Sequence, residues 1–132
     1  MATKGTLNSN LFNITSNDYC SEINIIEKNG NGLVEMIENG ILNGIEIEKL
    51  LIKFLNPMVN SNIDHLVLGC THYPLIKNSI RKILPRNIKI LDSGEAVAKQ
   101  IKKITITNKL SANNISPYYD FYCNGNDMSL KK

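Results

Sequence analysis

One short segment of this chain, residues 63–75, constrains the fold more than any other. Residues 63–69 are apolar enough to form a strand buried on both faces, as in a parallel sheet. Cys70 follows directly, and Pro74 opens a helical pattern that runs to about Leu84. The sequence therefore predicts a strand and a helix joined by a short turn, with the Cys70 thiol at the carboxyl end of the strand.

Predicted strands and helices alternate along the rest of the chain. Strands are predicted at residues 23–26, 63–69, 88–91 and 118–123, and helices at residues 33–40, 46–55, 74–84 and 94–104. Residues 3–16 fit a short helix or a turn, and Pro57 and Pro85 are expected to end the helices that precede them. This alternation predicts an α/β fold with a mainly parallel sheet, in which ligands bind at the carboxyl ends of the strands.

Composition and charge exclude several classes of protein. The 132 residues are enough for a domain with a hydrophobic core, and the net charge of +3 comes with dispersed lysines, so no nucleic-acid partner is expected. The apolar runs are too short to span a membrane, and the first residues lack the apolar core of a signal peptide. Three cysteines without a CxxC pair argue against a disulfide framework or a zinc site and predict a cytoplasmic protein.

Cys70, Thr71 and His72 together predict a reactive thiolate. A helix N-terminus and a protonated histidine both favour the anion, so they lower the pKa of a neighbouring thiol. The alternative is a structural cysteine that ends a core strand, since free cysteines are often buried. Cys20 has no activating neighbour in the sequence and is interpreted as a packing residue.

Residues 69–75, which read Gly-Cys-Thr-His-Tyr-Pro-Leu, closely resemble the second catalytic motif of the glutamate racemases, in the aspartate/glutamate racemase superfamily. The likeness extends to residues 3–9, 33–40, 91–95 and 121–127, so it covers nearly all of the chain. It implies a two-lobed α/β fold with mainly parallel sheets, here incomplete. Residues 1–90 would form the second lobe, and residues 91–132 would be a return segment of the first lobe.

The resemblance also implies an activity, because this family inverts the α-carbon of glutamate with two cysteines and no cofactor or metal, supplying D-glutamate for peptidoglycan. The implied catalytic residues are Cys70, His72 and Glu38, and the implied substrate-binding residues are Thr71, Thr3 and Thr6. Cys70 would be the base that acts on L-glutamate, and His72 would assist proton handling or orient the substrate. Glu38 would pair with the substrate ammonium or tune His72, and the sequence leaves both roles open.

Only about half of the family's enzyme is matched. The family has an Asp-Ser-Gly strand and a Cys-Asn-Thr motif, which carries the first catalytic cysteine, and both precede the second motif. Neither is found before Cys70 here, and Cys123-Asn124, which looks similar, follows Cys70. The isolated chain is therefore expected to be inactive and to be poorly soluble or associate. The expected partners are glutamate and either a missing amino-terminal half or a second copy. Two alternatives stay open: an inactive remnant, or a racemase for a related amino acid such as aspartate.

Overall fold

The computed structural model describes residues 1–19, 22–110, 116 and 118–122. The helices are α1 (Lys4–Leu7), α2 (Asn10–Tyr19), α3 (Leu33–Glu38), α4 (Ile45–Asn60), α5 (Lys77–Ile83) and α6 (Gly94–Thr107), and the strands are β1 (His65–Val67) and β2 (Lys89–Leu91). The chain divides into two compact units, Met1–Asp92 and Ser93–Lys132. The assignment of residues 1–90 and 91–132 to two lobes stays a prediction.

A small parallel sheet organises the first unit. β1 and β2 pair in parallel, with Leu66 opposite Ile90. On the other side of β1, Ala2 forms parallel bridges to both Gly69 and Asn29. The backbone segments therefore lie in the order 28–30, 1–2, 65–69 and 89–91, and all of them point the same way. The predicted α/β class with parallel strands is confirmed.

One face of the sheet carries the core. Leu66 and Leu68 are buried together with side chains of α3, α4 and α5. The opposite face differs from the prediction, since Val67 is 55% exposed and its register partner Leu91 is 47% exposed. The prediction that this strand is buried on both faces is therefore wrong for the described part of the chain. The side chains that fill the core lie against the Leu66 face, so β1 alternates between exposed and buried positions.

Pro57 lies inside α4 and does not end it, contrary to prediction. A proline removes one backbone donor but leaves its own carbonyl free to accept. The chain uses that carbonyl, because the backbone N–H and the hydroxyl of Ser61 both donate to Pro57 O, at 3.2 and 2.9 Å. Met58, one residue further on, is buried in the core. This burial favours the extra turn after the proline.

Two predicted strands are absent from the described residues. The strand predicted at residues 23–26 does not form, because the pairing with Ala2 falls further along the chain, where Ala2 N donates to Lys28 O and Gly30 N donates to Ala2 O. Residues 118–122 are also irregular, and their aromatic side chains are exposed. Cys20 and Cys123 lie outside the described residues. By contrast, the predicted strand at residues 88–91 and the helix that begins after Ser93 are confirmed as β2 and α6.

The predicted helix after Cys70 forms in two parts. A 3₁₀ turn covers Tyr73–Ile76, and α5 then runs from Lys77 to Ile83. Ile76 and Ile80 face the core as expected, but Leu75 is exposed, because the tighter 3₁₀ turn changes which positions share a face.

Candidate active site

Cys70 and Thr3 follow neighbouring parallel segments at the same edge of the sheet. Ala2 bridges Gly69, and the N–H of Gly69 donates to the carbonyl of Met1 at 2.9 Å. The residue after each bridged position therefore leaves the sheet at its carboxyl edge, where ligands bind in parallel α/β folds. Cys70 is half-buried there, packed against the hydrophobic core.

His72 connects Cys70 with Glu38. The Nδ1 atom of His72 lies 3.8 Å from the Cys70 sulfur, and its Nε2 atom lies 3.2 Å from Oε1 of Glu38. A neutral imidazole carries one N–H, so an Nε2–H that donates to the carboxylate leaves Nδ1 as an acceptor facing the thiol. The three predicted catalytic residues thus form one continuous series of polar contacts, which we call the Cys70–His72–Glu38 relay.

The relay is open to solvent. The His72 side chain is 34% exposed and the Glu38 side chain is 58% exposed. An ion pair this exposed contributes only about 0–1 kcal/mol to stability. Its value is therefore orientation of the imidazole and control of its tautomer rather than stabilisation of the fold.

Thr3 and Thr6 form a second polar group at the same edge. The Thr3 side chain caps α1, because it accepts a hydrogen bond of 3.3 Å from the backbone N–H of Thr6, and the two hydroxyls lie 3.0 Å apart. Both threonines are half-buried, whereas Thr71 is exposed directly after Cys70. The structure thus brings Thr3 and Thr6 together and leaves the Thr71 side chain facing solvent.

Sequence reasoning missed Tyr73 and Gly30. The fully buried Tyr73 hydroxyl donates to the carbonyl of Gly30 at 3.2 Å. Burial raises the pKa of Tyr73 to about 12, and the negative charges of Cys70 and Glu35 add to the effect. The signals were present, since Gly30 lies in an Asn-Gly-Asn-Gly turn and Tyr73 in the cysteine motif. Sequence alone gives no indication that these two positions meet.

Within residues 1–19, 22–110, 116 and 118–122, no group of three or more His, Cys, Asp or Glu side chains is arranged to hold a metal ion. Across that same part of the chain, every helix is too short or too polar to cross a membrane. A surface ion pair joins Lys77 Nζ to Asp92 Oδ2 at 2.7 Å, at the end of β2.

Comparison with known proteins identifies relatives over the whole chain, although no family model matches. The chain is 33% identical over 132 residues to a glutamate racemase of Stutzerimonas stutzeri, all of this chain and 50% of the relative. It is 31% identical to a glutamate racemase of Pseudomonas putida, over 99% of this chain and 49% of the relative. The chain thus spans about half the length of the curated relatives it matches.

The solved structures that resemble this chain are also glutamate racemases. The crystal structure of glutamate racemase from Francisella tularensis in complex with D-glutamate superposes with a TM-score of 0.80 at 32% identity, over 93% of this chain and 46% of that one. A glutamate racemase isoform from Bacillus anthracis gives a TM-score of 0.83 at 27% identity, over 97% and 48%. These matches are consistent with a carboxyl-terminal portion of such enzymes. By sequence and by fold, this chain matches the glutamate racemases over nearly all of its own length and over about half of theirs.

Proposed function

We propose that this chain is the carboxyl-terminal part of a glutamate racemase and that Cys70 is one of its two catalytic bases. The observation that carries the proposal is the Cys70–His72–Glu38 relay at the carboxyl edge of the sheet, with 3.8 Å from sulfur to Nδ1 and 3.2 Å from Nε2 to the carboxylate. The relatives named glutamate racemase and the Francisella structure with D-glutamate support glutamate as the substrate.

The chemistry requires a proton acceptor that is both strong and well placed. The α-proton of an amino acid is weakly acidic, so a positioned base is needed to remove it. In the proposed reaction the Cys70 thiolate takes this proton from L-glutamate and becomes a thiol, and a second base on the opposite face returns a proton to give D-glutamate. The thiols carry the protons themselves, so the proposed reaction needs no cofactor.

The surrounding residues suit this role. With its Nδ1 atom 3.8 Å from the sulfur, His72 is proposed to hold the Cys70 proton between turnovers. The distance of 3.2 Å to Glu38 favours tuning of His72 over direct pairing of Glu38 with the substrate ammonium. The hydroxyls of Thr3 and Thr6 lie 3.0 Å apart at the same edge and are proposed to bind a substrate carboxylate. Thr71 is proposed to contribute its exposed hydroxyl. We place the activity in the cytoplasm, where it would supply D-glutamate for peptidoglycan.

We propose that the second base comes from outside the Cys70 edge. The described residues of the first unit place only Cys70 as a thiol there, so the opposite face of the substrate is proposed to be served by an amino-terminal half like that of the relatives. The second candidate is an inactive remnant that keeps the fold.

Reconstitution separates these candidates. The chain is mixed with the part of the Stutzerimonas stutzeri racemase that it does not match, and D-glutamate formation from L-glutamate is measured. We expect activity that falls more than about 100-fold in Cys70→Ser and is kept in Cys20→Ser. If the relative's own carboxyl half restores activity while this chain does not, the chain is a remnant. L-aspartate in the same assay tests the choice of substrate.

A further inference from the structure

Gly30 joins three backbone segments through its own amide and carbonyl groups. Its N–H donates to Ala2 O at 3.0 Å, and its carbonyl accepts from the Tyr73 hydroxyl at 3.2 Å and from the Leu33 N–H at 3.1 Å. Gly30 itself is buried. This point of contact therefore fixes the first strand segment, the cysteine motif and the start of α3 relative to one another.

Each of the three segments carries a residue of the proposed site. Ala2 precedes Thr3, Tyr73 follows His72, and Leu33 begins the helix that ends at Glu38. A change in the position of Tyr73 relative to α3 would change the 3.2 Å separation between His72 and Glu38 directly, because each residue lies on one of the two joined segments.

The contact is too tight to tolerate a side chain at Gly30. A Cβ atom there would lie 2.3 Å from the Tyr73 hydroxyl oxygen and 2.9 Å from Cζ of the same ring. Tyr73 is fully buried in a packed core, so its ring has little freedom to withdraw. Glycine is thus required at this position for space.

We propose that the hydrogen bond from Tyr73 to Gly30 is a positioning contact for the reaction, which keeps His72 within contact distance of both Cys70 and Glu38. The inference rests on the proposed function and names a residue pair that acts through the relay without touching the substrate. Burial keeps the pKa of Tyr73 at about 12, so the hydroxyl remains a neutral donor across the pH range, around 8.5, in which cysteine thiols ordinarily titrate.

The test measures the pH dependence of Cys70 alkylation by iodoacetamide, in the 132-residue chain carrying Cys20→Ser and Cys123→Ser. Because thiolates react and thiols do not, the rate profile reports what the relay does to Cys70 without requiring racemisation. His72→Asn and Glu38→Gln calibrate the effect of breaking the relay. Tyr118→Phe is the matched control, since this tyrosine is 82% exposed.

We expect Tyr73→Phe to shift the alkylation profile in the same direction as Glu38→Gln and by at least half as much, and Tyr118→Phe to leave it unchanged. Tyr73→Phe is expected to fold, because Gly30 O keeps its hydrogen bond from Leu33. Gly30→Ala perturbs the same contact from the other side and is expected to shift the profile the same way.

Two results would overturn the inference and are distinguishable. If the relay variants shift the profile while Tyr73→Phe and Gly30→Ala only lower the melting temperature, the contact is structural and the proposed function is untouched. If His72→Asn and Glu38→Gln also leave the profile unchanged, the relay itself fails, and the positioning role fails with it.

Discussion

Glu38, the last residue of α3, and His72, three residues after Gly69, meet with 3.2 Å between Oε1 and Nε2. Both side chains remain accessible, so the pair has little value for stability. A carboxylate that holds one imidazole nitrogen fixes the tautomer and leaves the other nitrogen for the thiol. The arrangement favours a role for this pair in proton handling over one in folding.

This relationship predicts the effect of Glu38→Gln. The amide keeps the size of the side chain but removes the carboxylate charge that lies 3.2 Å from Nε2 of His72. In the reconstituted enzyme we expect kcat to fall by about 100-fold, the lower end of what a general acid–base group contributes, with little change in KM. Steady-state kinetics over a range of pH values check this.

Glu35→Gln is the matched control on the same helix, because Glu35 is an exposed residue in the first turn of α3. Its kcat should stay within a few-fold of the unmodified enzyme. Equal losses in the two variants would show that the charge of α3, rather than the contact with His72, matters.

Tyr73 makes the fold sensitive to alkali. Its pKa is raised to about 12 in the folded chain, whereas a tyrosine in an unfolded chain titrates near 10. Between these values the unfolded state has lost the proton and the folded state has kept it, so the free energy of unfolding falls as pH rises. Below about pH 10 both states are protonated and this contribution is fully present.

Urea denaturation at several pH values between 9 and 12 measures the effect. We expect Tyr73→Phe to remove part of the downward slope, while Tyr118→Phe, at an exposed position, keeps it. Identical slopes in Tyr73→Phe and the unmodified chain would contradict the assignment of the raised pKa to this residue.

Gly30→Ala should destabilise the chain through crowding. Inserting a methyl group into a packed site typically costs about 1–3 kcal/mol in free energy of unfolding. Removing the Tyr73 hydroxyl relieves the shorter of the two ring contacts, 2.3 against 2.9 Å. We therefore expect Gly30→Ala to cost less when combined with Tyr73→Phe than alone, a coupling that a double-mutant cycle measures.

Gly5→Ala is the control for this cycle, because a Cβ atom at Gly5 meets nothing within 4 Å. It lies in α1, where alanine is the better helix former, so its effect should be neutral or slightly stabilising. Additive costs for Gly30→Ala and Tyr73→Phe would mean that the two residues do not share a contact.

The sequence was sufficient to predict the parallel α/β class, the strand that ends at Leu91 and the position of Cys70 at a strand end, because each depends on a local pattern. The contact between Tyr73 and Gly30 was not predictable in this way, since it joins positions distant in the chain through a single hydrogen bond. Pro57 shows the same limit, as burial of the following Met58 outweighs a local helix-ending signal.

The exposed face of the sheet predicts association of the isolated chain. Val67 and Leu91 are register partners on this face, 55% and 47% exposed, although parallel sheets normally have both faces covered. Neighbouring exposed apolar side chains favour contact with another molecule. Gel filtration of the 132-residue chain should therefore show species larger than the 14.8 kDa monomer.

Replacing both residues by threonine tests the cause, because threonine keeps the preference for strands and lowers the apolar area. We expect Val67→Thr with Leu91→Thr to shift the elution toward the monomer. Ile45→Thr serves as the control, since Ile45 is 72% exposed at the start of α4 and lies outside this face. A monomer in the unmodified chain, or an equal shift in the control, would show that this face does not drive association.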